Sequence, residues 1–491
     1  MKLLALLLAL ILLTGCGRTA ELPTEPQPPE PVETQQELPE VSEPEAPAPQ
    51  TPAARELSGI YLYTDGPRSL IVDGSGQVLF ETREGEAAVI YRDGTAVGFA
   101  VAMQDGRVID EWGWASPARS WCDVYDLRGQ YRYTVPLSYV SLIGEVLMGY
   151  NRETGTSQLY RWSDGTLLYD DVYVAEQVGD RYYIALGSWE SQGFFMDEAG
   201  QKLFDLPEGY LNGSRILNQY LVVSDGTYSG LLDSQGQFVL PCEYEQIRSG
   251  QLGCIFARQD GMWYALDPVT GETVFQWPHL IQQLLPDGAI VQTDEEANSY
   301  QLVDRNGTLL LEQAFTWPDS IDELHDGTPE LFTASTTDYQ GTLCFRPDGT
   351  LLMELESGGY LLPLDQDRVL LHRYDYETDP ENPTSEWTLI DLGAKEQTFL
   401  TDDPSVHCSQ IYSINGPLLG LFLKEGPNAQ GWYRTSVLDC HGNVLLEDLQ
   451  DVYYRDEGVF QCRKGFTSGL ITTDGNWLYQ ESSFSAVEDD N

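Results

Sequence analysis

A short turn signal recurs along this chain and limits what it can fold into more than any other feature. Two to four apolar or aromatic residues are followed by Asp, two variable residues, Gly, one polar residue and a second apolar run. Clear copies are Ile71-Val72-Asp73-Gly74-Ser75-Gly76-Gln77-Val78-Leu79-Phe80, Val124-Tyr125-Asp126-Leu127-Arg128-Gly129 and Leu231-Leu232-Asp233-Ser234-Gln235-Gly236. Phe195-Met196-Asp197-Glu198-Ala199-Gly200, Val303-Asp304-Arg305-Asn306-Gly307 and Val437-Leu438-Asp439-Cys440-His441-Gly442 belong to the same set. Variants centre on Gly165, Gly271, Gly349, Gly393 and Gly475. The chemistry is that of a tight hairpin. An Asp side chain accepts hydrogen bonds from amides just ahead of it, a Gly takes the left-handed conformation next to a bulge, and the flanking runs are β-branched and aromatic, as strands prefer.

Spacing turns the motif into an architecture. Five consecutive intervals between turn glycines, from Gly129 to Gly307, are 35 or 36 residues long. Two further strand-like stretches lie between successive hairpins, such as Tyr244 to Ile247 and Gly253 to Ala257. Each unit therefore holds about four short strands and no convincing helix. Repeats of this kind are the signature of propeller blades. The expected fold class is all-β, a β-propeller-like array of about eleven four-stranded repeats. Eleven units exceed the usual four to eight blades of one ring, which leaves two propellers, or one ring plus additional repeats. A division into two subdomains would fall near 277–313. Later intervals of 42, 44 and 49 residues point to loop insertions, one of them the acidic stretch Asp375 to Pro383.

The unit Gly230-Leu231-Leu232-Asp233-Ser234-Gln235-Gly236-Gln237-Phe238-Val239-Leu240-Pro241, followed by Tyr244 and Ile247, resembles the WG repeat of bacterial surface and secreted proteins. Gly469 to Gly475 is a second, partial match. The Trp that names the repeat is Ser229 in one copy and Ser468 in the other. The resemblance implies an interaction-type β-repeat protein and brings no catalytic residue with it.

The first 56 residues read differently. Met1-Lys2 is a short positive start and Leu3 to Leu13 is wholly apolar. Eleven residues are too few to span a bilayer core, which takes about 20, but suit a secretory signal. Leu13-Thr14-Gly15-Cys16 then resembles the lipobox of bacterial lipoproteins. That resemblance implies a signal peptide over 1–15, cleavage after Gly15, and lipidation of Cys16. Two or three acyl chains make a stable anchor where one does not. Residues 16–56 are rich in Pro and Glu and nearly free of large apolar side chains, so they cannot offset the entropy of ordering. Extended, such a stalk reaches about 120 Å. The expected localisation is the cell membrane, lipid-anchored, on its extracytoplasmic face, with 57–491 as the β-repeat region.

Charge narrows the partners. The chain carries 77 acids and 27 Lys and Arg, a net charge of −50. Nine acids and three bases lie in the first 56 residues, leaving 68 against 24 in the repeat region. Nucleic acid is excluded as a partner, because phosphate binding relies on Lys and Arg. Solubility accounts for such a surface, and a basic protein or a cation would be attracted by it. Besides Cys16 there are seven cysteines, Cys122, Cys242, Cys254, Cys344, Cys408, Cys440 and Cys462, in no zinc-like spacing. An odd number leaves at least one thiol free.

Motifs for chemistry are absent: no HExxH, GxSxG, Walker loop or dinucleotide fingerprint occurs. His279, His325, His372, His407 and His441 are scattered over different repeats. No catalytic residue, metal ligand or cofactor is assigned. The binding candidates are Trp112, Trp114 and Trp121, which could form a stacking platform for sugar or peptide, or else fill gaps around an insertion. Two functions follow. One is a surface-displayed binding or scaffolding protein for a protein, peptide or glycan. The other is an extracellular carbohydrate-active enzyme on a propeller scaffold.

Overall fold

A computed structural model describes residues 57–482, apart from 107, 110–114, 118, 189–190, 212–214, 218, 295–297, 317, 321–329, 356–358, 376–383, 412–417 and 425–432. The lipobox-like stretch Leu13 to Cys16 and the Pro/Glu-rich segment lie outside the described residues, as do Trp112, Trp114 and His325. Every regular element among the described residues is a strand. The strands form antiparallel meanders in which neighbours in sequence are neighbours in the sheet.

The Asp-x-x-Gly signals are hairpins, as their chemistry requires. Asp73 Oδ1 accepts from the amides of Ser75 and Gln77, both at 2.9 Å, and Gly76 has φ +88°. Asp126, Asp233, Asp304 and Asp439 repeat the pattern at 2.8–2.9 Å. Register shifts mark the bulges next to these turns where a fourth strand follows, for instance at Ile71/Val72 and Val124/Tyr125. Gly393 is an exception. The left-handed residue there is Lys395, φ +58°, because Asp391 caps a different turn through the amide of Ala394 at 2.7 Å.

Counting along the chain, eleven sheets span 60–82, 86–135, 141–169, 172–205, 215–244, 246–277, 281–304, 319–355, 359–401, 406–446 and 450–482, numbered 1 to 11. A two-stranded ribbon, Val108–Ile109 with Ala115–Ser116, is an insertion in sheet 2. Seven sheets have four strands of their own. Sheets 10 and 11 share the long strand Val444–Asp456, which bends from one to the other where Asp448 and Asp451 take φ of +58° and +51°. The expected four strands are not met everywhere. Sheet 1 starts at what is the second strand elsewhere, and the fourth strand of sheet 7 is reduced to isolated bridges at Leu309 and Phe315.

Apolar runs in the second and third strands are continuous because both of their faces are covered. In Gly288–Gln292, Ala289 and Val291 enter the seam with sheet 6, and Ile290 enters the seam with sheet 8. One core of this kind joins each consecutive pair of sheets, ten in all. An eleventh core, built from Tyr61, Tyr63, Leu70, Val72, Val459 and Leu470, joins sheet 11 to sheet 1. The succession therefore closes on itself as one propeller-like ring. Residues 277–313, where a division into two subdomains was expected, are spanned by the same cores as the rest. First strands contact one another along the inside, and fourth strands, such as Glu396–Thr401, lie largely exposed outside.

Candidate functional site

A meander has two ends. The hairpins joining first to second and third to fourth strands share one face of the ring, called here the turn face. Connections from second to third strands, and from each sheet to the next, share the other, the loop face. The third-to-fourth hairpins keep to four to six residues wherever a fourth strand is formed. Second-to-third connections run from two residues (66–67) to thirteen (106–118), with 187–193, 293–299, 376–383 and 425–432 also long. One connection on the turn face, 321–331, is comparable.

Exposed tyrosines favour the loop face without being confined to it, since Tyr91 and Tyr131 are exposed at the turn-face ends of their strands. Tyr139, Tyr150, Tyr173, Tyr228, Tyr339 and Tyr360 are exposed at the loop-face ends of their strands. Leu127, Leu203, Leu252, Leu309 and Leu351 are exposed at the turn face. Trp121, half-buried near the start of Arg119–Tyr125, also lies toward the loop face. It is the only one of the three proposed tryptophans among the described residues.

The loop face also carries a cluster that sequence reading did not find. His372 and His407, 35 residues apart in sequence, meet around Trp387 between sheets 9 and 10. The His372 ring stacks on the indole at 3.9 Å between centroids, and the His407 ring meets it edge-on at 5.9 Å. His372 Nε2 is 2.8 Å from Ser385 Oγ. Burial, and then the charge of a protonated His407, push the His372 imidazole below its ordinary pKa, which favours the neutral ring. Cross-strand pairing of His372 with Trp387 produces the stack, and no spacing in the sequence signals it. Of the other histidines, His441 sits in its turn, 2.8 Å from an Arg368 nitrogen.

A cavity of about 660 Å³ opens at the seam between sheets 11 and 1. Its wall runs from Tyr63–Gly66 of sheet 1 to Asp451, Tyr453, Arg455 and Gln461–Arg463 of sheet 11, with Ser468 and Ser482. The space arises where sheet 1, in the described chain, has no first strand. Gln461 partly replaces that strand: its Oε1 accepts from the Thr64 amide at 3.0 Å and its Nε2 donates to the Thr64 carbonyl at 2.7 Å. Arg455 donates to Gln461 Oε1 and, at 3.4 Å, to Thr64 Oγ1. Burial pushes its guanidinium below the ordinary arginine pKa. Arg463 is neutralised by Asp451 at 3.3 Å.

Two carboxylates clasp the same seam beside the cavity. Glu457 accepts from the Tyr61 hydroxyl and from the amides of Ser58 and Gly59, each at 3.3 Å. Glu481 accepts from Tyr63 at 2.9 Å, Tyr479 at 2.8 Å and the Arg68 guanidinium. Burial alone would raise the Glu481 carboxyl, but hydrogen bonds from Arg68, Tyr479 and Tyr63 outweigh it and hold the pKa below the usual range. All seven described cysteines are free thiols, and burial pushes Cys122, Cys344, Cys408 and Cys462 up to about 12.

Comparison with known proteins adds little beyond the fold. A family model described as a domain of unknown function (DUF5046) matches residues 407–490, which include the shared strand and sheet 11. No curated protein matches the chain. Among solved structures it is similar to a eukaryotic initiation factor at 12% identity, over 81% of this chain and 98% of that one, with a TM-score of 0.40. It is also similar to BamB from Moraxella catarrhalis (14% identity, 58% and 97% covered, TM-score 0.27). Apo AztD from Citrobacter koseri is comparable (12%, 61% and 95%, 0.28). The propeller assignment stands on the sheet order and the closed succession of cores.

Proposed function

We propose that this chain is a binding or scaffolding module, held by a lipid on Cys16 at the extracytoplasmic face of a membrane, that takes a protein, peptide or glycan on its loop face. The carrying observation is that most of the long connections and most of the exposed tyrosines lie on one face of the ring. Loops on a rigid scaffold are where binding residues concentrate, and tyrosines offer large contact area at little entropic cost. The likeness of 230–247 to WG repeats and the lipobox at residues 13–16 support the same reading. The carbohydrate-active alternative needs one carboxyl group held protonated by an apolar enclosure, and the cavity-wall carboxylates Asp65 and Asp451 are both exposed.

The test uses the full chain expressed in a bacterium that processes lipoproteins. Wild type is expected in the membrane fraction and the detergent phase, and Cys16→Ser in the aqueous phase. Surface crosslinking, or glycan capture, should disappear when 376–383 and 425–432 are both replaced by short Gly-Ser turns that leave the melting temperature unchanged. Identical partitioning of Cys16→Ser, or crosslinks that persist and map to the turn face, would overturn the proposal.

A further inference from the structure

We infer that the cavity at the seam of sheets 11 and 1 is a binding site for a small monocarboxylate, held by Arg455. This stands apart from the macromolecular binding proposed for the loop-face connections.

The first argument is space. At about 660 Å³ the cavity is within the range of small-molecule sites. It comes from the architecture: ten sheets contribute a first strand to the inside of the ring, and sheet 1 begins, among the described residues, with its second.

The second argument is charge. In a chain with 77 acids and 27 bases, Arg455 has no carboxylate partner among the described residues. Its neighbours in sequence are acidic, but Glu457 is committed to Ser58, Gly59 and Tyr61. Arg455 instead meets two neutral oxygens, on Gln461 and Thr64, and its Nε is buried with no acceptor. A half-buried cation without a counter-charge costs free energy that an arriving anion recovers. Arg is suited to this, since its planar fork matches a carboxylate.

The third argument selects the anion. Asp451 and Arg463 on the same wall offset each other at 3.3 Å. Asp65 is left as an unpaired negative charge there among the described residues, so a doubly charged group would meet more repulsion than a single carboxylate. The exposed Tyr453 flanks the space, and the Arg455 guanidinium lies 5.9 Å from its ring centroid. An apolar body attached to the carboxylate therefore has a surface to lie against.

The experiment is calorimetric titration of the full chain with sodium benzoate, sodium acetate and sodium phosphate at fixed ionic strength. Benzoate is expected to bind one per chain, acetate more weakly, and phosphate weakest. Arg455→Gln should weaken benzoate at least tenfold and Arg455→Lys by a smaller factor, because charge is kept and the fork lost. Asp65→Asn should tighten it about threefold by removing a like charge from the wall. Wild-type affinity in Arg455→Gln, phosphate binding tighter than benzoate, or no saturable heat from wild type would each overturn the inference. If Arg455→Gln fails to fold, Asp65→Asn decides: unchanged or weaker benzoate binding overturns it.

Discussion

Between sheets 7 and 8 the ring is held by ten buried residues, including Phe315, Phe332 and Phe345, and Tyr300 is the only one with a polar side-chain atom. Between sheets 11 and 1 six are buried, as between sheets 8 and 9, but two of the six are tyrosines, and Glu457, Glu481, Gln461 and Arg68 bond across the seam as well. The first seam joins neighbours in sequence. The second joins residues such as Ser58 and Glu457, 399 positions apart. Apolar packing is non-directional, so it serves where chain connectivity already presents the right neighbour. At the closure no connecting segment among the described residues does so, and hydrogen-bonded charges that accept only one register are the natural means of selecting it. The closing seam is also where the ring keeps open space.

The largest test of this contrast is Phe332→Ala. It empties a fully buried position in the apolar seam and should cost about 4 kcal/mol, read from the shift in urea denaturation. A loss below about 1 kcal/mol would mean that the seam repacks freely and that its density is not what holds it.

The closing seam should respond less to mutation and more to acid. Glu457→Gln with Glu481→Gln should cost about 2 kcal/mol, since charge-assisted hydrogen bonds are weakened while the shapes remain. Both carboxyls sit below their ordinary pKa in the folded chain, burial being outweighed by the bonds they accept. Their contribution is therefore complete above the unfolded value of about 4.3 and is lost as the pH falls through the lower folded values. Hydrogen exchange at pH 3 should lose protection first in 60–73 and 459–472, with 332–345 unaffected. Simultaneous loss in both regions would erase the distinction between the seams.

The smallest effect belongs to a feature shared by all sheets. Asp126→Ala removes the acceptor of two turn amides and should cost about 1 kcal/mol whichever seam lies nearby. A cost near zero would show that the glycine, not the aspartate, carries the hairpin.

Much of the fold was legible because its determinants are local. Asp73, Gly76 and their counterparts encode a hairpin within five residues, and the 35- or 36-residue interval counts the sheets. The candidate sites were far less legible. The tryptophan platform rested on sequence adjacency, and only Trp121 is among the described residues. The His372–Trp387–His407 stack depends on which residues face each other across strands, and the periodicity does not report that. Arg455 looked like any other base in an acidic chain until the partners around it could be named.

The amino-acid sequence alone determined the fold class, the number of units and the chemistry of most turns, since all three follow from interactions within a few residues. It pointed to two propellers or to one ring plus additional repeats, not to one ring of eleven. Tertiary structure decided for the one ring, by bringing Tyr61 and Tyr63 against Val459 and Leu470 in a single closed succession. Long-range closure is settled by the fit of two surfaces about 400 residues apart, and no local pattern carries that information.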